Sequence, residues 1–186
     1  GWLWEIEDEV RPVMPMVYYH VWDNFPYPKF NKPHYISNDV VVTISKVTDE
    51  IVRNVAPEVD CIYHPHTVDT NIFKPSEGEL SSTFKNQFFK NNKDKFVFFW
   101  NNRNARRKQS GTLIFWFKEF LDRIGKDKAA LIMHTDVKDP HGQDLEALIK
   151  ELGIAKGEVM FSTQKIPPEH LASLYNAVDC TINISD

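Results

Sequence analysis

From Phe96 onward, apolar runs with strand character alternate with helical stretches, and the connections between them are short. "FVFFW" (96–100) precedes "SGTLIFWFKEFLDRIG" (110–125), and "AALIMHT" (129–135) precedes "HGQDLEALIKELGI" (141–154). "EVMFS" (158–162) precedes "PPEHLASLYNAV" (167–178), and "CTINIS" (180–185) closes the series. Strand–helix alternation of this kind predicts βαβ units, that is, a parallel sheet flanked by helices. Right-handed crossovers place every strand's C-terminal end on the same side, and ligands of open α/β sheets bind outside those ends. The expected fold class is therefore α/β.

The first half carries a shorter version of the pattern. "PVMPMVYYHVW" (12–22) is rich in Val and Tyr and predicts a strand ending near His20. "DNFPYPKFNKPHY" (23–35), with three prolines, predicts a loop or a broken helix. "DVVVTIS" (39–45) predicts a buried strand. "KVTDEIVRNVA" (46–56) predicts a helix with Val47, Ile51, Val52 and Val55 on one face, stopped by Pro57. "DCIYHPHTV" (60–68) predicts another strand. Residues 75–95 are polar and punctuated, without sustained periodicity, and read as a linker. That divides the chain into 1–74, 75–95 and 96–186.

Composition narrows the function classes. A formal net charge of -4 argues against a general nucleic-acid binder, which carries a broad excess of Lys and Arg. No apolar run approaches the roughly 18 residues that span a bilayer, and the start of the sequence does not read as a signal peptide. Cys61 and Cys180 form no CxxC or Cys/His zinc pattern, so a reducing compartment and a cytoplasmic location are expected. Gly1 is not an initiator Met, and "CTINISD" stops where a loop begins, so the sequence reads as a fragment.

Against that acidic background, "WNNRNARRKQSG" (100–111) concentrates Arg103, Arg106, Arg107 and Lys108. A run of charges is ordinarily a solvated loop. This one sits at the C-terminal end of an expected strand and just before an expected helix, where open α/β sheets take ligands. A helix N-terminus adds unpaired N–H groups and a positive potential, about 0.3–1 kcal/mol toward an anion. Arg brings a planar donor fork and Lys a point charge, which suits a diphosphate. With neither GxGxxG nor GxxxxGK[ST] present, nothing indicates a nicotinamide cofactor or a P-loop nucleotide.

"YHPHTVDTNIFKP" (63–75), a linker, and "FVFFWNNRNARRKQSGTLIFWFKEFL" (96–121) together resemble the retaining GT-B glycosyltransferases of family 4. In that family a P-x-G-V-D-x-x-x-F-x-P stretch crosses between two Rossmann-like domains. A strand follows, and then a G-R-x-x-x-x-K-G loop whose Arg and Lys hold the donor's diphosphate. The resemblance extends through "LIMHTDVKDPHGQDLEALIKELGI" and "VMFSTQKIPPEHLASLYNAVDCTINIS", and back to "PMVYYHVWDN" and "NDVVVTIS". It implies that residues 1–74 close the acceptor domain and that 96–186 open the nucleotide-sugar domain. It also implies a nucleoside-diphosphate-sugar donor, no cofactor, no required metal, and an unknown sugar, lipid or protein acceptor. By resemblance Arg103 and Lys108 form the diphosphate pair, while Arg106 and Arg107 are accessory or solvated. Asn102, Gln109 and Thr67 stand where the family has glycine. The family's E-x-F-G-x-x-x-x-E stretch would begin just past Asp186, so the fragment is expected to be inactive alone.

Further residues carry both a structural and a functional reading. His20 closes its strand, faces the expected cleft and, by resemblance, is the catalytic-site histidine near the donor sugar. A lone histidine at a strand end is otherwise structural. By the same resemblance, Thr163, Gln164 and Lys165 are candidates for packing on the nucleotide base. His134 ends a strand at the cleft rim and suits a ligand contact or a structural role equally. "HPH" (64–66) near Asp69 offers a metal little, because adjacent strand side chains alternate faces. Asp136 and Asp139 read as a solvated loop, and "LIFWFKEF" as core with an additional packing partner. The rival reading is a non-catalytic α/β module that binds a nucleotide or a protein partner. A nucleic-acid-modifying transferase would need a wider basic surface.

Overall fold

The computed structural model describes residues 2–76, 82, 83, 86 and 94–185, which divide into two compact units, 1–68 and 69–186. Most of the expected linker, 75–95, lies outside the described residues.

The first unit begins with two short helical turns, α1 (Trp2–Glu5) and α2 (Glu7–Val10). Strand β1 (Val17–His20) is shorter than the expected 12–22, and a 3-10 turn (Lys29–Asn31) leads into α3 (Lys32–Ile36). The three-proline stretch thus forms a broken helix, with Pro33 near the start of α3, where a missing N–H costs nothing. Strand β2 (Val40–Thr43), helix α4 (Lys46–Val55) and strand β3 (Asp60–Tyr63) complete the unit. The strands are parallel in the order β1-β2-β3, with Tyr18 opposite Val41 and Val41 opposite Cys61. Those three side chains share the core with Tyr35, Ile51, Val52 and Val55. Val47 differs from expectation: it is exposed, and Thr48 is buried in its place. Positions 48, 51, 52 and 55 follow the three- and four-residue steps of one helical stripe, whereas 47 falls outside it. The strand expected over 60–68 stops at Tyr63, before Pro65.

The second unit follows the expected alternation. Its elements are β4 (Phe96–Asn101), α5 (Ser110–Ile124), β5 (Ala129–His134), α6 (Leu145–Glu151), β6 (Val159–Ser162), α7 (Pro168–Ala177) and β7 (Cys180–Thr181). All pairings are parallel, in the order β6-β5-β4-β7, so the progression reverses between β4 and β7. The pleat of β4 sends Phe98 and Trp100 toward α5 and α6, and Val97 and Phe99 toward α7. From Ala129 to Met133, β5 is buried on both faces, as a central parallel strand requires. Fully burying a side chain such as Leu131 or Met133 contributes about 1.5–3 kcal/mol. Helix α6 starts at Leu145, later than the expected 141, because the Asp144 side chain accepts from Ala147 N–H and caps it. Helix α5 buries Leu113, Ile114, Phe117 and Leu121 and leaves Phe115, Trp116 and Phe120 exposed.

Candidate functional site

The basic stretch occupies the loop between β4 and α5, at the C-terminal end of the sheet. Lys108 ends a 3-10 turn (Arg106–Lys108), and Gln109 follows with φ 55°, in the left-handed region. This is the position where the resembling motif carries glycine, the residue that enters that region without a Cβ clash. Ser110 then opens the fifteen-residue helix α5, whose first N–H groups lie beside the loop.

The loop from β5 to α6 is fastened to the β4–α5 loop by a continuous set of bonds. Arg103 donates Nε to Asp139 Oδ2 (2.6 Å) and Nη2 to Asp139 Oδ1 (3.1 Å). Asp139 also accepts the His141 N–H at 2.8 Å. These donors, Arg103 first and then the His141 amide, hold its carboxyl far below the ordinary carboxylate range. The expectation of a solvated Asp139 is therefore corrected: the residue is 8% exposed and paired. Asn104, fully buried, donates Nδ2 to Gln143 O (2.7 Å) and accepts from Ser110 Oγ (2.6 Å). Arg106 N–H donates to His141 O at 3.1 Å. A Cβ on Gly142 would lie 2.0 Å from Asn104 O, so the two loops meet at a separation that only glycine allows.

Between them opens a cleft of about 540 Å³, with Arg106, Gln109, Ser110 and Thr112 on one side and His141 and Gln143 on the other. Guanidinium, imidazole, amide and helix N-terminus are groups whose chemistry would suit an anion. Arg106, expected to be accessory or solvated, lines the cleft. Arg103 adjoins it through His141, its Nη2 lying 2.8 Å from His141 Nδ1.

A second cleft, about 250 Å³, lies at the reversal of strand order and is lined by Asn101, Asn102, Tyr175 and Asn183. Asn101 Nδ2 donates to Tyr175 Oη (3.1 Å), and the Tyr175 ring packs edge-on against Phe99 with centroids 5.0 Å apart. Neutral amides and a phenol suit hydroxyl groups better than charge.

The remaining expected residues fall elsewhere. His20 is 3% exposed, with Nδ1 3.0 Å from Tyr18 Oη and Nε2 2.8 Å from Tyr35 Oη. Burial lowers its pKa from 6.5 to about 4. Thr163, Gln164 and Lys165 are exposed in the loop after β6. His134 is half-buried, with Nδ1 2.8 Å from Ser162 Oγ, and burial pushes its pKa down. His64 and His66 are exposed, and among the described residues no group of three or more His, Cys, Asp or Glu could hold a metal. Burial, followed by the Asp49 carboxylate, pushes the Cys61 thiol up to about 11, which leaves it a weak nucleophile at neutral pH.

Sequence reasoning missed Asn104, His141 and Gln143, and it misplaced Asp139. Their signal was faint: an Asp-Pro-His-Gly run after a strand's C-terminal end, which marks a tight turn at the ligand-binding side.

No family model matches the chain, and no curated protein matches it. Solved structures do. Anabaena Alr3699/HepE, determined with UDP and glucose, superposes with a TM-score of 0.67 at 17% identity, over 92% of this chain and 46% of that one. The alpha,alpha-trehalose 6-phosphate synthase of Burkholderia multivorans gives a TM-score of 0.75 at 9% identity, over 100% of this chain and 50% of that one. A glycosyltransferase from Rickettsia africae gives 0.63 at 15% identity, over 90% and 45%. At these identities the likeness concerns the fold, and the chain spans about half the length of each of these structures.

Proposed function

We propose that the chain is part of a retaining, nucleotide-sugar-dependent glycosyltransferase of the family-4 kind. In this reading the β4–α5 loop holds the donor's diphosphate and the amide cleft beside it takes sugar hydroxyls. The observation that carries the reading is the cationic loop itself, welded to its neighbour at the C-terminal end of the sheet and next to the strand-order reversal. Breaking a glycosidic bond to a nucleoside diphosphate leaves growing negative charge on the departing phosphate. Fixed cations and a helix N-terminus stabilise that charge without reorganising as it develops. Arg103 supplies a guanidinium already oriented by Asp139, and Lys108 a point charge five residues on. In this reading these groups offset the charge without a metal, and EDTA is expected to leave binding unchanged. Thr163, Gln164 and Lys165 are assigned to the base. A part for His20 in the chemistry requires its ring to leave the Tyr18 and Tyr35 hydroxyls.

Calorimetric titration with UDP tests the reading, with GDP and ADP run in parallel to find the preferred base. Arg103→Ala and Lys108→Ala are each expected to weaken binding by roughly ten- to a hundredfold, the scale of a hydrogen bond to a charged group. In the full-length enzyme the same changes are expected to lower turnover by roughly 10²–10³. Wild-type affinity in both variants would sink the assignment. Arginine-dependent binding with no sugar transfer in the full-length protein would leave a non-catalytic nucleotide-binding module.

A further inference from the structure

Resting on that reading, we propose that His141 is a further ligand-binding residue of the anion cleft, presenting its Nε2–H to a phosphate oxygen of the diphosphate. Arginine has donors and no acceptor. Because Arg103 Nη2 lies 2.8 Å from His141 Nδ1, that nitrogen must offer its lone pair, and the proton of the neutral ring sits on Nε2. Arg103 thus sets the tautomer of His141, and Nε2 is the ring's remaining polar atom, on a side chain that is 71% exposed and lines the cleft.

The residue is fastened at both backbone groups. Its N–H donates to Asp139 Oδ1 at 2.8 Å, and its carbonyl accepts from Arg106 N–H at 3.1 Å. The ring is therefore placed before a ligand arrives, which reduces the ordering cost of binding. A guanidinium donating to Nδ1 also draws electron density from the ring and strengthens Nε2–H as a donor. The competing contact, Nδ1 to Asp139 Oδ1, is longer at 3.2 Å and would require the proton on Nδ1, which the shorter contact with the Arg103 donor opposes. Sulfate or phosphate would meet the same donors as a nucleoside diphosphate. Comparing inorganic pyrophosphate with UDP tells whether the site reads the anion alone or the nucleotide as well.

The test combines affinity with a spectroscopic signature. Long-range proton–nitrogen NMR of the imidazoles at pH 7.5 is expected to show His141 with its proton on Nε2. Arg103→Ala should relax that preference toward a mixture of tautomers. Titration with pyrophosphate, and then with UDP, should shift the His141 Nε2 resonance. His141→Ala should bind UDP about two- to tenfold more weakly, the range of one neutral hydrogen bond. His141→Gln, whose side-chain amide N–H can stand in for Nε2–H, should recover part of the loss. An Nδ1–H tautomer in the wild type overturns the inference, as does wild-type affinity in His141→Ala while Arg103→Ala binds weakly. If neither UDP nor pyrophosphate binds the wild type, both this inference and the transferase reading fail together. If pyrophosphate alone binds and shifts His141, the anion contact stands and the nucleotide assignment falls.

Discussion

Gly142 and Asn104 set how closely the β4–α5 and β5–α6 loops approach. An added methyl at 142 would sit 2.0 Å from the Asn104 carbonyl oxygen and 2.4 Å from its Oδ1, and both atoms are held in place. Gly142→Ala is therefore expected to destabilise the second unit by about 1–3 kcal/mol, the usual cost of forcing extra volume into a packed site. Urea denaturation monitored by tryptophan fluorescence would read it, and an unchanged midpoint would show that the loops can separate freely. Single residues also show what the sequence could reveal. Arg103 and Lys108 stood out because their charges lie close together in sequence and at a strand end. Asp139 did not, because its meaning comes from a partner 36 positions away. A carboxylate on a polar loop looks solvated until the fold brings a guanidinium to it. At His20 the strand-end position was legible, whereas the two tyrosine hydroxyls on its ring, one of them fifteen residues on, were not.

At the level of elements, among the described residues of the second unit, periodicity located the helices and strands, because the apolar stripe and the buried run are local patterns. Boundaries were less legible, since they depend on side-chain caps. Helix α4 starts at Lys46 because Ser45 has extended backbone angles and its Oγ accepts the Thr48 N–H at 3.0 Å. Ser45→Ala should cost about 1 kcal/mol, and Ser45→Asp should preserve most of the capping contribution. Thermal unfolding followed by circular dichroism would separate the two variants, and equal midpoints would mean the cap contributes nothing. The same logic explains α6, where the expected start at 141 gave way to a cap at Asp144 after residues 139–143 were taken up by the inter-loop contacts. The second unit's β7 is only two residues long, although an apolar run of six suggested more.

Across the whole molecule, stability is expected to fall in two acid stages. His20 titrates at about 4 in the folded chain against 6.5 when unfolded. Between those values the unfolded chain binds a proton that the native one refuses, so this contribution is complete above about pH 6.5 and lost as pH falls toward 4. His134, lowered by burial, acts in the same direction. Asp139, Asp39 and Asp49 are depressed by their arginine and amide donors, so their contribution is present above about 3.8 and lost below it. Urea midpoints measured from pH 8 to pH 3 should be level at first, then drop through both windows. In His20→Gln the first drop should be shallower, and an identical slope would remove His20 from the account.

The order β6-β5-β4-β7 has a consequence for synthesis. Ribosomes deliver β4, β5 and β6 in the sequence in which they pair, so a three-stranded sheet can assemble as the chain emerges. The other edge of β4 waits for its neighbour: Val97 N–H is satisfied by Asp179 Oδ2, 82 positions later. At translation rates of about 5–20 residues per second, that edge stays bare for roughly 4–16 s. An uncovered parallel edge is a template for pairing with another nascent chain. The interval between translating Val97 and Asp179 is therefore when this protein depends most on whatever shields nascent polypeptides.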